Sequence, residues 1–113
     1  MAVDRQVDRL LREAIAKKHL LRFGYKGNER IVEPHDYGIQ NGMIRLLCWQ
    51  VGGKSNGRIP GWRLIDVGGM EGCEMLDRVF EGNREVLSGQ HHRWDEVFTR
   101  VGASQKSRLK KSG

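Results

Sequence analysis

The chain has little cysteine and little proline: two of each among 113 residues. Cys48 and Cys73 lie in separate predicted strands with no C-x-x-C spacing, which excludes a disulfide framework and a cysteine-based zinc knot and leaves two reduced, buried thiols. Pro34 and Pro60 are too few for a proline-rich linker, so each reads as local punctuation. Long apolar runs are also missing. No stretch approaches the ~20 residues needed to span a bilayer. The N-terminal MAVDRQVDRLLREA has neither a continuous apolar core nor a small-residue cleavage site, so the expectation is a cytoplasmic protein. Aromatics make up only 7% of the residues, which makes the position of each one informative. Catalytic signatures are absent too. Glu33 and Asp36 offer paired carboxylates without a partner base, a nucleophile elbow or an H-E-x-x-H motif, so the chain is read as non-enzymatic, with no cofactor.

What is present is ordinary for one small globular domain: 38% hydrophobic and 30% charged residues. The net charge of +6 and the sequence pI of about 9.7 suit a polyanionic partner. Residues 104–113, SQKSRLKKSG, carry +4 of that charge and no acid, and are expected to form a disordered basic tail. Glycine is plentiful, with 15 residues, and Asn41-Gly42 is the pair that populates the left-handed conformations of a type I′ turn.

That turn organises the reading of the centre. Met43 to Val51 follows as a strand, with Ile44, Leu46 and Cys48 on one side and Arg45, Leu47 and Trp49 on the other. Before it, Leu20–Tyr25 forms a strand, Lys26-Gly27-Asn28 a turn and Arg30–Glu33 a second strand. Pro34 is expected to break that ladder before His35–Gln40 extends beyond it. After it, Gly52–Gly57 makes a loop ended by Pro60-Gly61, then WRLIDV a strand closed by Gly68-Gly69. Cys73–Leu76 is a last short strand, with Phe80 plugging the core. Helical spacing appears at both ends. Val3, Val7, Leu10, Leu11, Ala14 and Ile15 line one helix face, and Asp4 and Asp8 at its start and Lys17, Lys18 and His19 at its end complement the dipole. Trp94, Val97, Phe98 and Val101 share a stripe with Gly102 as a stop, which predicts a C-terminal helix. The expected division is therefore an N-terminal helix over 1–19, a β domain over 20–80, a second helix over 81–103 and the tail.

Between about Ala14 and Phe80 the sequence resembles the WYL-domain family. Tyr25, then Arg30, Val32 and Pro34 as an R-x-V-x-P run, Gly42 before the signature strand, Trp62-Arg63-Leu64 with Val67, and the late Phe80 carry the likeness. The naming Trp-Tyr-Leu triplet stands here as Ile44-Arg45-Leu46, and Asp66 occupies a position often basic in the family. The resemblance implies a small Sm-like antiparallel β-barrel, here mainly β with flanking helices, that binds nucleic-acid fragments or other ligands in transcription regulation. Only one helix precedes the strands, so the expectation is not the usual one-chain repressor, and a module that acts with a separate DNA-binding subunit is the alternative to ligand binding.

Two candidate interfaces follow. Arg45, Trp49, Arg63, Arg58 and Lys54 would form a face for single-stranded nucleic acid or a nucleotide, since rings stack on bases and cations meet phosphates. Alternatively, an apolar patch of Leu47, Trp94 and Phe98 would serve dimerisation or a protein partner. Other motifs are weaker. Gly52-Gly53-Lys54-Ser55 lacks the first glycine of a phosphate-binding loop, because Cys48 stands there. His91 with Asp95 and His92 with Glu96 offer metal ligands only in pairs, short of a zinc site.

Overall fold

The computed structural model describes residues 3–55, 57–84 and 93–102. Helix α1, Arg5–Lys17, starts where Asp4 Oδ1 accepts the amide hydrogens of Gln6 and Val7 at 2.7 and 3.2 Å. It stops at Lys18, which turns into the left-handed region with φ 59°. Its polar face carries the ion pairs Asp8–Arg12 and Glu13–Lys17 one turn apart, while Leu11, Ala14 and Ile15 are buried.

The strands are β1 His19–Tyr25, β2 Asn28–Gln40, β3 Met43–Gly53, β4 Gly61–Asp66, β5 Glu71–Val79 and β6 Glu96–Arg100, with a 3₁₀ turn at Val67–Gly69. All neighbours pair antiparallel in the order β4-β3-β2-β1-β5, and β6 pairs with the far half of β2. The Asn41-Gly42 turn has φ 51° and 76°, the conformation that its residues favour, and Lys26-Gly27 repeats it with φ 50° and 79°. β2 runs between β1 and β3 and then between β6 and β3, so it is interior along almost its whole length. That position explains why every residue from Glu33 to Gly38 is buried.

One face of the sheet packs on α1. Leu21, Phe23, Val32, Tyr37, Leu46, Cys48 and Ile65 meet Leu11, Ala14 and Ile15 there. The Tyr37 hydroxyl donates to Asp8 Oδ1 at 2.7 Å, which satisfies a buried polar group and ties helix to sheet.

Three expectations are corrected. Among the described residues no ladder joins β4 to β5, so the sheet is open and does not close into a barrel. The stripe expected to be a C-terminal helix is strand β6, because five residues with Val97 and Thr99 are too short for periodicity to separate the two forms and β2 offers an unpaired edge. Gly38 admits β6, since a Cβ there would lie 2.1 Å from the Glu96 carbonyl oxygen. Pro34 does not end its strand; it sits at a bulge between the pairs Pro34↔Cys48 and Asp36↔Leu47, where a missing amide hydrogen costs no ladder bond. His91, His92 and the basic tail lie outside the described residues, and among those described no helix is long and apolar enough to cross a membrane.

Candidate functional site

Strand register divides the expected site residues between two faces and two ends of the sheet. Arg45 pairs with Asp66 and Trp49 with Trp62, whereas Arg63 pairs with Cys48 and so belongs to the opposite face. Arg45 and Trp49 do share a side, but four residues of extended chain, roughly 13 Å, separate them. Leu47 between them is 1% exposed. A single face centred on Arg45, Trp49 and Arg63 therefore does not form.

Arg45 is committed to its own fold. Its Nε donates to Asp66 Oδ1 at 2.8 Å and its Nη1 to Gln40 Oε1 at 2.7 Å, so its charge is locally neutralised. Trp49 meets Trp62 edge-on at 5.1 Å, and the Arg84 guanidinium lies 4.9 Å from the centre of the Trp49 ring. Trp62 continues the cluster to His35 at 4.9 Å, and His35 stacks on Phe80 at 5.7 Å. The chain after β5 thus returns over this face. Arg84 fixes it with paired bonds to Glu33 at 2.7 and 3.0 Å, while its backbone N–H donates to His35 Nε2 at 3.2 Å. That acceptor role leaves the His35 proton on Nδ1, which donates to the Glu33 carbonyl at 2.9 Å. Burial holds the His35 pKa below its ordinary value, against the opposing pull of the Glu33 backbone bond and of the Glu33 and Asp36 charges. Phe98 is covered by Tyr37 and Arg12, so the expected apolar patch of Leu47, Trp94 and Phe98 is not an open surface.

The β3–β4 loop end is different. Arg63 donates from Nε to Ser55 Oγ at 2.9 Å, from Nη1 to the Trp62 carbonyl at 2.8 Å and from Nη2 to the Arg58 carbonyl at 2.7 Å. Every one of these acceptors is neutral, so the guanidinium keeps its charge while it shapes the loop. Gly61 makes the fold-back feasible, because a Cβ there would lie 2.8 Å from Arg63 Nη1. Gln50, fully buried, pins the loop from the other side by donating from Nε2 to the carbonyls of Gly52 and Lys54 at 2.9 and 3.1 Å. Lys54 and Arg58 project from this loop as exposed residues. Three of the five expected cations and rings, Lys54, Arg58 and Arg63, are therefore gathered at one end of the sheet, with the Trp49–Trp62 pair at that end on the face opposite Arg63.

No protein-family model matches the chain, and no curated protein or solved structure matches it.

Sequence reasoning missed two residues. Arg30 is 7% exposed, and Arg84 anchors the aromatic cluster. Arg30 donates from Nη1 to Gln50 Oε1 at 3.4 Å and lies 5.2 Å from the centre of the Tyr25 ring, but its buried Nε has no partner. Its place in the R-x-V-x-P run was visible; its burial on a strand was the signal left unread. Cys48 is no nucleophile. Burial pushes its thiol well above the usual range, and the Arg63 and Arg30 charges only partly offset that.

Proposed function

We propose that this chain is a non-catalytic binding module for a ligand that joins negative charge to a flat ring: single-stranded nucleic acid or a nucleotide. The observation that carries the reading is the loop end of β3 and β4, where Arg63 keeps an unneutralised charge beside exposed Lys54 and Arg58, with the Trp49–Trp62 pair on the other face of the same strand ends. Clustered cations suit phosphates, and half-buried indole rings at the same strand ends supply stacking surface. Arg45 has no part in it, since Asp66 already holds its charge. Kinship with the WYL domains, and with it a place in transcription regulation, is part of the same proposal. It draws support from the helix followed by five strands, with the 3₁₀ turn between the last two.

A direct test is fluorescence polarisation of a labelled short single-stranded oligonucleotide at two salt concentrations. Binding that weakens as salt rises supports the reading, because phosphate contacts release counterions. No binding at low salt overturns it.

A second reading, a module that pairs with itself or with a DNA-binding subunit, is favoured by one feature. β5 ends the sheet path, and Val79 on it is 63% exposed. Sedimentation that shows only monomer at high concentration, alone and with candidate subunits, would exclude it.

A further inference from the structure

Among the described residues, the buried acids are matched to cations. Glu33 holds Arg84, and Asp36 holds Arg100 at 3.0 Å. The reverse does not hold: among the same residues several exposed arginines have no carboxylate partner, and neither do Arg30, which is buried, and Arg63, which is half-buried. Among the described residues neither Arg30 nor Arg63 has a carboxylate within ion-pair distance. Glu29, next to Arg30 in sequence, is exposed, and strand parity sends it to the other face. Arg30 has more than nine-tenths of its surface buried, and its Nε–H has no acceptor among the described residues. A desolvated cation with an unmade charged hydrogen bond is costly, and Tyr25 beneath it carries no net charge to offset that. Arg63 is close by. Gln50, which accepts from Arg30, is the register partner of Gly61, against which Arg63 Nη1 is folded.

We propose that Arg30 and Arg63, on either side of the Gln50 amide, form a subsite for one oxyanion of the phosphate type, taken free or as the phosphate of a nucleotide. Two guanidiniums supply forked N–H donors, the geometry that matches phosphate oxygens, and the Arg30 Nε–H gains the acceptor it lacks. This deepens the proposed function by assigning a phosphate position, yet it rests on buried charge alone and holds whether or not a base is bound.

The test follows the side-chain Nε–H signals of the arginines by ¹H–¹⁵N correlation during titration with inorganic phosphate at constant ionic strength. The Arg30 and Arg63 signals are expected to shift together and saturate, while the Arg45 signal, locked on Asp66, stays in place. Arg30→Lys identifies the Arg30 signal and should weaken phosphate by about 10- to 100-fold, the factor for losing a charged hydrogen bond. If that variant does not fold, through-bond correlation from the Arg30 backbone assigns its Nε–H and the wild-type titration decides. Parallel titrations with adenosine monophosphate and adenosine separate the sources. Tighter binding of the nucleotide than of phosphate, with no response to adenosine at these signals, supports a nucleotide phosphate; equal binding supports free phosphate. An unmoved Arg30 signal, or one that drifts in step with Arg45, overturns the subsite. Oligonucleotide binding that leaves Arg30 unmoved overturns it and leaves the proposed function standing. A saturable phosphate shift without oligonucleotide affinity supports it and removes nucleic acid as the ligand.

Discussion

His35 shows how one side chain can couple a strand to the chain that crosses it. It is buried, accepts the Arg84 amide hydrogen on Nε2 and donates from Nδ1 to Glu33. Protonation of Nε2 would set a hydrogen against the Arg84 N–H. Because burial lowers its folded pKa, the unfolded chain binds the extra proton first as pH falls. The stability contributed by neutral His35 is thus fully present above the unfolded value of about 6.5 and is lost as pH drops below it. Melting temperatures measured from pH 8 to pH 5 should fall more steeply for the wild type than for His35→Gln; parallel slopes would contradict this. Trp49 belongs to the same cluster but is only partly buried. Trp49→Ala should cost about 2–3 kcal/mol in denaturant unfolding, less than the ~3–5 typical of a fully buried Trp, because the Trp62 and Arg84 contacts go and some of the ring was already in water. A change below about 0.5 kcal/mol, the size expected of a surface substitution, would show that the ring is not packed as described.

At the level of elements, local chemistry was largely legible. Asp4 caps the predicted helix, Asn41-Gly42 makes the predicted turn, and β1, β3 and β4 fall close to their expected bounds. What could not be read was tertiary. β2 carries on through Pro34 because a bulge absorbs the missing donor, and β6 exists because β2 has an edge to give it. Periodicity over residues 94–101 fits either form, so only pairing partners decide it. The candidate site was half legible for the same reason. Parity along β3 placed Arg45 with Trp49, but the register that sends Arg63 to the other face and pairs Arg45 with Asp66 is a property of two strands together. Gly38 gives the element-scale prediction. Gly38→Ala would force a Cβ against the Glu96 carbonyl, so hydrogen-exchange protection at Val97 and Thr99 should collapse while that of β3 persists. Retained protection at β6 would contradict it.

Over the whole molecule, charge is sorted more sharply than the net +6 suggests. Arg22, Arg45, Arg84 and Arg100 each have an acidic partner and hold strands or crossing chain in place. Arg30 and Arg63 have none among the described residues, and with Lys54 and Arg58 they collect at the end of the sheet bounded by the β3–β4 loop. An open sheet with one uncompensated end is suited to hold an anionic ligand there and not at the other end, where Asp66 holds Arg45. The most direct measurement is the salt dependence of oligonucleotide affinity for Arg63→Gln beside Arg45→Gln. Arg63→Gln should bind more weakly at every salt concentration, with its salt slope smaller by about one counterion, while Arg45→Gln should keep the wild-type slope. Equal effects of the two substitutions, or a larger effect of Arg45→Gln in a folded protein, would contradict the account.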